Sequence, residues 1–474
     1  MIRLLASLDA GIDTLILAYF VLINTFYFLF NLLSLGGILR YRRLVAFVRF
    51  GEIFRMPIVK PVSVIVPAFN EGCGIIESVR SLLSLRYPVF EVVVVNDGST
   101  DDTLDRLVEA FELKRSKFVF RKTLPTKPLR GIYRSALHPK LVVVDKVNGR
   151  KADAMNAGLN VSRYPLFCAV DGDSVLEKDA LLKVVRPFLE DPERTIGAGG
   201  IIRLSNGCEV CGGQVVRVGL PRNWIARFQI LEYLRAFLGG RMGMAMMRST
   251  LIVSGAFGIF RKDIAMACGG YRAESVAEDM DLCVRMQKHM HEKKKPFRIQ
   301  FIPDPICWTE APERLRVLAR QRRRWHRGLI QTLVTYRRML FNPRYGIAGL
   351  FAMPFYALFE MAGPFIEVLG YAVFLAHVAF GRVNYPFAVA FFFVAIFYGT
   401  FVSLIAILLE ELSAHRYPRL RDILVLAASG LAENLFYRQY LGIIRAKAYL
   451  DYVKGKTEWG AMEKRGFAQA GRTP

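Results

Sequence analysis

Long apolar stretches near both ends of the chain most constrain how it can fold. Residues 13–35 are almost uncharged, and further apolar stretches follow at residues 349–380, 386–409 and 422–443. A helix needs about 20 predominantly apolar residues to cross a bilayer. Because 53% of the 474 residues are hydrophobic, a share high for a soluble protein, we expect membrane spans combined with a folded soluble part.

The first apolar stretch is predicted to be a membrane span. A cleaved signal peptide is the alternative, but the apolar core is too long and no small-residue cleavage site is evident. Arg40, Arg42 and Arg43 follow the stretch. Basic residues favour the cytoplasmic end of a span, so the chain after it is predicted to face the cytoplasm.

The number of C-terminal spans is less certain from the sequence. Gly363 and Pro364 interrupt the stretch 349–380, and a proline can divide it into an interfacial helix and a span. Three C-terminal spans would leave the basic residues 454–465 outside, against the charge rule, whereas two or four would leave them inside. We therefore expect two or four C-terminal spans rather than three.

The net charge of +24 has three possible meanings: nucleic-acid binding, membrane flanks, or an anionic substrate. Much of the charge lies beside apolar stretches, namely at Arg40, Arg42, Arg43, Arg49 and residues 314–338. We therefore favour a lipid bilayer as the partner and expect no nucleic acid.

Cysteine usage points to a reducing compartment. The seven Cys are an odd number without framework spacing, which indicates reduced thiols in a cytosol-facing domain. Cys208 and Cys211 form a CxxC, but no second Cys pair or His pair lies nearby, so ordinary thiols are favoured over a zinc site.

The middle of the chain alternates short β-branched runs with amphipathic stretches. This order predicts a mostly parallel sheet with helices on both faces, and ligands bind beyond the carboxyl ends of such strands. The predicted strands are residues 62–66, 90–95, 140–144 and 166–170, and the predicted helices are residues 75–85, 103–111, 152–159 and 178–189.

A cationic segment at residues 312–340 separates this region from the later apolar stretches. Leu315, Leu318, Trp325 and Leu329 recur at helical spacing among many arginines. The pattern predicts an amphipathic helix in the membrane interface. A basic helix packed on the soluble domain with a solvated face is the alternative.

Carboxylates follow the last predicted strand of the alternating region. Asp171 and Asp173 flank Gly172 directly after residues 166–170. Mg²⁺ and Mn²⁺ prefer oxygen ligands and often bind one or two carboxylates together with substrate phosphates. A DxD sequence is common by chance, but its place at a strand end predicts a metal site.

Six short motifs follow one another in order within residues 62–328. They are the VIVPAFNE segment 64–71, the NDGS segment 96–99, GRKADAMN 149–156, DGD 171–173, AED 277–279 and QRRRW 321–325, with GAFGIFR 255–261 before the predicted helix 262–267. This ordered set resembles the motifs of family 2 glycosyltransferases of the GT-A fold, in the membrane-embedded branch that includes cellulose, hyaluronan, chitin and poly-N-acetylglucosamine synthases.

The resemblance implies a nucleotide site at the first strand ends. Pro67, Asn70 and Glu71 would belong to the turn that holds the base. Asp97 would contact uridine, and Asn96 stands where the family has its first Asp. A carboxylate suits the uracil imide N–H because an ionised acceptor makes a strong hydrogen bond. Ordinary turn chemistry is the alternative at these positions.

The resemblance also implies the reacting groups. Lys151 would neutralise a diphosphate, Asp171 and Asp173 would hold Mg²⁺ or Mn²⁺, and Gly255 would lie beside the acceptor. Asp279, next to Glu278, would be the general base, since the attacking sugar hydroxyl must lose a proton. A carboxylate pair that stabilises a helix N-terminus is the compatible alternative.

The QRRRW motif resembles the QxxRW sequence of processive members. Gln321 opens it, Arg322 or Arg324 would bind the diphosphate, and Trp325 would stack on the acceptor sugar. An interfacial helix with Trp at the headgroup level is the alternative. Glu360, Glu367 and Glu433 lie within the later apolar stretches, where charges usually face the protein interior or a polar path, and they could line a polysaccharide channel.

The chain is therefore expected to be an inverting, membrane-integrated enzyme that polymerises a β-linked polysaccharide from UDP-glucose or UDP-N-acetylglucosamine and passes it through its own spans. A bacterial inner or plasma membrane is expected, with accessory export proteins as possible partners. Transfer of one sugar to a lipid carrier is the first alternative, and an inactive transporter or scaffold is the second. The expected regions are an N-terminal span 1–45, a cytoplasmic GT-A domain 58–311, an interfacial helix 312–345, C-terminal spans 346–445 and a basic tail 446–474.

Overall fold

The computed structural model describes residues 2–47, 59–381, 383–417 and 419–456. Arg49 and most of the predicted basic tail lie outside the described residues. The described chain has an α/β domain between two helical parts, one before it and one after it.

One mixed sheet forms the core of the α/β domain. Its order is β3-β4-β5-β2-β1-β6-β11-β8-β12-β7. The parallel ladders of β5, β2, β1 and β6, and of β8 with β12, carry most of the paired residues. The strands are β1 (Val62–Ala68), β2 (Phe90–Asn96), β3 (Lys114–Arg115), β4 (Leu129–Arg134), β5 (Leu141–Lys146), β6 (Leu166–Val170), β7 (Val175–Leu176), β8 (Thr195–Leu204), the separate hairpin β9 (Glu209–Cys211) and β10 (Gln214–Arg217), β11 (Phe257–Arg261) and β12 (Arg298–Thr309).

Helices cover the sheet and continue toward the C-terminal spans. They are α1 (Ile2–Phe47), α2 (Ile75–Leu83), α3 (Thr103–Ala110), α4 (Arg150–Val161), α5 (Ala180–Glu190), α6 (Trp224–Leu234), α7 (Met242–Met246), α8 (Lys262–Ala267), α9 (Glu278–Glu292), α10 (Leu315–Thr335), α11 (Ala348–Ala379), α12 (Tyr385–Ser413), α13 (Leu420–Ala432) and α14 (Tyr437–Val453). All the predicted strands and helices of the alternating region are confirmed, with ends shifted by two residues or fewer.

Among the described residues, three helices are long and apolar enough to cross a membrane: residues Gly11–Val45 within α1, then α11 and α12. The weak apolar stretch 422–443 is instead divided between α13 and α14, and neither qualifies as a span. The chain bends at Ala362, just before Pro364, inside α11. The stretch that contains Glu433 is therefore not one of the candidate spans.

The spans pack directly on the α/β domain. Ile38 of α1, Ala406 of α12 and Leu426 of α13 share a buried cluster with Val64 of β1. A fully buried ion pair also joins Arg203 of β8 to Glu410 of α12. Burial of the aliphatic cluster stabilises this arrangement by removing apolar surface from water. The sheet and the membrane helices therefore form one packed body.

The cationic segment forms helix α10, as predicted. It packs along α14 and buries several polar side chains, including Gln321 and Arg322. Arg323 pairs with Asp451 of α14 at 2.5 Å. The helix is therefore held by specific contacts to the last helix of the described chain.

Candidate active site

A cavity of about 1200 Å³ opens beyond the carboxyl ends of β1, β2 and β6. Parallel strands place their carboxyl ends at one edge of a sheet, so residues distant in sequence meet there. The same cavity continues between the membrane helices, where Tyr27, Glu360 and Tyr371 line it. Most of the predicted site residues line it as well: Pro67, Asn70, Glu71, Asp97, Lys151, Asp171, Asp173, Gly255, Glu278, Asp279, Gln321, Arg324 and Trp325.

The turn after β1 is fixed by side-chain hydrogen bonds to the loop after β2. Asn70 adopts a left-handed conformation with φ of 56°. Its Oδ1 accepts from the backbone N–H of Thr100 at 2.8 Å, and its own N–H donates to Ser99 Oγ at 3.0 Å. Asn tolerates this conformation better than most residues. These bonds set the shape of the cavity wall beside Pro67.

Asp97 directly follows β2 and is a buried carboxylate. Its Oδ1 accepts from Lys146 Nζ and from the backbone N–H of Gly149 at 3.0 Å. Its Oδ2 is buried, and no hydrogen-bond donor reaches it within the part of the chain that the structure describes. Burial raises the pKa of Asp97, while the hydrogen bond from Lys146 acts against that rise. An acceptor of this kind is completed by a ligand N–H.

Lys146 itself was not found from the sequence. It is the last residue of β5 and is fully buried. Its Nζ pairs with Asp97, and it lies 2.6 Å from Oδ1 of Asp153. A lysine that follows a run of valines gives no local signal of a function. Only the parallel pairing of β2 with β5 brings it beside Asp97.

Asp171 and Asp173 follow β6, and Asp171 pairs with Lys151 of α4. Lys151 Nζ lies 2.7 Å from Asp171 Oδ1 and 3.0 Å from Glu278 Oε1. Burial alone would lower the pKa of Lys151, but the carboxylates of Asp171, Glu278 and Asp279 outweigh it, and the pKa is raised. Burial raises the pKa of Asp171, although Lys151 opposes the rise.

The absence of a side chain at Gly172 lets the chain after β6 lie close to the carboxyl end of β1. A Cβ there would lie 3.1 Å from the carbonyl oxygen of Pro67 and 3.3 Å from Cγ of Glu71. Within the described ranges, no group of three or more His, Cys, Asp or Glu side chains could hold a metal by itself. Two neighbouring carboxylates fit Mg²⁺ or Mn²⁺ when substrate phosphates and water complete the coordination.

Asp279 lies in the first turn of α9, opposite the loop before β11. Its Oδ2 accepts from the backbone N–H of Gly255 at 2.8 Å, and its Oδ1 accepts from the N–H of Met280 at 2.8 Å. The positive end of the helix dipole favours a carboxylate at this place. Each oxygen keeps a second lone pair, so the group can still accept a proton from a ligand.

Helix α10 brings Trp325 to the cavity at the side facing the spans. Trp325 is 41% exposed, and the Arg322 guanidinium lies over its ring at 4.3 Å. Arg322 is buried and pairs with Glu232 of α6 at 2.7 Å. Arg322 does not line the cavity, whereas Gln321 and Arg324 do. Of the two predicted diphosphate ligands, the structure brings Arg324 to the cavity.

The part of the cavity that lies between the candidate spans is lined by two of the three predicted carboxylates. Glu360 accepts from Tyr27 at 3.0 Å, and Glu367 lies close to Gly442. Glu433 is placed elsewhere: it is buried against Arg235 and Ser403 and does not line the cavity. Of the two environments expected for these carboxylates, Glu433 has the protein interior, where its charge is paired.

Comparisons with known proteins show the family of the chain. The glycosyl transferase family 2 model matches residues 63–265, and the model of glycosyl transferase family group 2 matches residues 166–404. The chain is 24% identical to a poly-β-1,6-N-acetyl-D-glucosamine synthase of Staphylococcus epidermidis over 365 residues, which are 76% of each chain. It is 28% identical to the probable glycosyltransferase YdaM of Bacillus subtilis over 56% of this chain and 54% of that protein.

A solved structure has the same fold. The mannosyltransferase PcManGT from Pyrobaculum calidifontis, solved with GDP-Man and Mn²⁺, matches with a TM-score of 0.51 at 19% identity, over 88% of this chain and 99% of that one. The family matches, this fold and the carboxylates at the strand ends agree with one another. The chain is a membrane protein of glycosyltransferase family 2, with a catalytic domain of the GT-A fold.

Proposed function

We propose that this enzyme polymerises a β-linked polysaccharide from a UDP-sugar, UDP-N-acetylglucosamine or UDP-glucose, and passes the product through its own spans. The observation that carries the proposal is the single cavity that joins Asp279 to Glu360 and Glu367 between the spans. A product that grows at Asp279 can leave along this cavity. The similarity to poly-β-1,6-N-acetyl-D-glucosamine synthases, at 24% identity, favours N-acetylglucosamine.

Donor binding is assigned to the sheet edge. The unsatisfied Oδ2 of Asp97 would accept from the imide N–H of uracil. Asn70, Glu71 and Pro67 would form the wall beside the base. Lys151 and Arg324 would stabilise the diphosphate. Asp171 and Asp173 would hold Mg²⁺ or Mn²⁺, and a bound divalent cation would stabilise negative charge on the departing diphosphate.

The transfer step is assigned to Asp279. The acceptor hydroxyl oxygen bonds to the anomeric carbon while the bond from that carbon to the diphosphate oxygen breaks, and the hydroxyl proton passes to the Asp279 carboxylate. One displacement inverts the anomeric centre, so an α-linked donor gives a β-linked product. Gly255 fixes the base through its N–H, and Glu278 holds Lys151 beside it.

Processive extension is assigned to the α10 side of the cavity. Trp325 would stack on the acceptor sugar, with Gln321 beside it, and Arg322 would position Trp325 from below. Two spans after the catalytic domain would return the chain to the same face of the membrane, which we assign to the cytoplasm of a bacterial inner or plasma membrane. Accessory export proteins would receive the polymer on the other face.

The proposal is tested with the purified full chain in lipid nanodiscs. UDP-glucose, UDP-N-acetylglucosamine and GDP-mannose are supplied with Mg²⁺ or Mn²⁺, and nucleotide release, product length and linkage are measured. We expect a β-linked polymer from one UDP-sugar. Asp279→Asn should lower turnover by roughly 10²- to 10⁴-fold, whereas the surface control Asp263→Asn should not. A single sugar on lipid would instead support lipid-carrier transfer, and absence of turnover would support an inactive scaffold.

A further inference from the structure

Arg241 lines the catalytic cavity but belongs to none of the motifs recognised in the sequence. It ends a π-helical turn, Arg235–Arg241, that joins α6 to α7. Such turns are rare and often occur at functional sites. The guanidinium carbon lies 4.0 Å from the centre of the Phe237 ring, which also lines the cavity. The side chain is thus held against an aromatic wall of the cavity.

Arg241 differs from the other cations around it. Arg235 pairs with Glu433, Arg322 with Glu232, and Lys151 with Asp171. For Arg241, which is half-buried, no hydrogen bond or ion pair is found within the described residues, and its Nη1 is buried without an acceptor. A buried donor without an acceptor is costly, so a ligand oxygen at this place would stabilise the folded protein.

The surroundings of Arg241 show which part of the cavity it serves. Burial lowers its pKa, and Tyr356 of α11 and then Asp279 are the strongest charged or ionisable neighbours that oppose this. The turn that contains Arg241 also packs against α1: Ser34 Oγ donates to the carbonyl oxygen of Gly239 at 2.9 Å, and a Cβ on Gly239 would lie 2.8 Å from Asn31 Oδ1. Asn31, Arg241 and Asp279 line the same cavity, so Arg241 belongs to the part of the cavity next to α1.

We infer that Arg241 binds the acceptor end of the glycan by donating from its guanidinium to an oxygen of the terminal sugar, beside the hydroxyl that Asp279 deprotonates. This inference rests on the proposed function, because it requires a glycan acceptor. The ligand class is a hydroxyl- or amide-bearing sugar, whose oxygens accept hydrogen bonds. Arginine offers five N–H donors and stays charged in this environment.

The test separates acceptor binding from donor binding. Arg241→Met keeps an aliphatic stem on Phe237, Arg241→Lys keeps the charge, and Arg248→Gln is a control at an exposed cation shortly after Arg241. KM is measured for a β-1,6-linked N-acetylglucosamine trimer and for UDP-N-acetylglucosamine, and UDP release is measured without acceptor. Unchanged size-exclusion profiles identify folded variants.

We expect Arg241→Met to raise the acceptor KM by about tenfold or more, since a hydrogen bond to a charged group is lost. Arg241→Lys should recover part of this loss. The donor KM and acceptor-free UDP release should stay unchanged. A raised donor KM with an unchanged acceptor KM, or no change in either, would overturn the inference. Failure of the wild-type enzyme to release UDP would overturn the proposed function and this inference with it.

Discussion

Gly328 of α10 lies directly against Ala277, the residue before Glu278 and Asp279, the proposed catalytic pair. A Cβ on Gly328 would lie 2.6 Å from Cβ of Ala277 and 3.0 Å from its backbone nitrogen. Gln331, one turn later, accepts from the N–H of Val276 at 2.9 Å. The helix that contains QRRRW therefore holds the start of α9 in place, and it links the position of the base to the position of Trp325.

Gly328→Ala should shift Asp279 because the added methyl group meets backbone and a Cβ that cannot rotate away. We expect kcat to fall by roughly 10- to 100-fold, since small displacements of a reacting group are costly. Gly36→Ala is the matched control, because a Cβ at Gly36 meets nothing within 4 Å. UDP affinity should be retained, and steady-state kinetics with UDP titration check both points. An unchanged kcat in Gly328→Ala would show that α10 does not position the base.

Uridine binding should weaken at acidic pH in a way that reports Asp97. Only the ionised carboxylate accepts from the imide N–H without competition from its own proton. Because burial raises the pKa of Asp97, ionisation is lost at a higher pH than the ordinary value of 3.8 as the pH falls. Calorimetric titration of uridine with EDTA present, from pH 7 downward, measures this. Asp97→Asn should bind weakly at every pH; retention of the wild-type pH profile in that variant would contradict the assignment.

Removal of divalent cations should abolish transfer and weaken UDP binding while leaving uridine binding unchanged. The reason is that Asp171 and Asp173 are assigned to a cation that contacts the diphosphate. Asp173→Asn should lower activity by roughly 100-fold or more, whereas Asp179→Asn, a nearby change outside the cavity, should not. Nucleotide release is followed during Mn²⁺ titration after EDTA treatment. Full activity in EDTA would show that Lys151 and arginines suffice for the diphosphate.

Replacing both Glu360 and Glu367 by Gln should separate synthesis from export. These carboxylates line the cavity between the spans, far along the chain from Asp279. We expect polymer protected inside inverted vesicles to fall several-fold, because hydrogen-bond acceptors along the path are weakened. UDP release should persist at first. Glu292→Gln, at the end of α9, is the control. Equal protected polymer in the double variant and wild type would remove these residues from the path.

The sequence predicted the strands and helices in which apolar residues recur with a regular period, together with the polar residues that follow the strands. Strand β8 was not predicted because Gly197, Gly199 and Gly200 lower its apparent strand propensity. The structure explains two of these glycines: a Cβ would lie 3.0 Å from Phe260 at Gly197 and 2.9 Å from Val253 at Gly199. Strand β12 was not predicted because it contains Pro303 and Pro305, which lie where the register of its pairing with β8 shifts.

The site residues that were missed share a different cause. Lys146, Glu232 and Arg241 lie outside any recognisable motif, and their roles arise only from tertiary contacts. Glu232, for example, receives Arg322 and Arg445 from two different helices. No periodicity or spacing shows such partners. The apolar stretch 422–443 was wrongly taken as one segment for a related reason, since the burial of Glu433 against Arg235, at the break between α13 and α14, is a tertiary contact.

The most direct test of a processive synthase is the length of product made before release. Purified enzyme is given a brief pulse of labelled UDP-N-acetylglucosamine, or of whichever UDP-sugar it accepts, and then an excess of unlabelled donor with a competing acceptor. Gel electrophoresis follows the labelled chains. We predict that labelled chains grow long while remaining bound and that the competitor stays unextended. Label that remains in products carrying one added sugar, distributed over the competitor or over lipid, would contradict processive synthesis.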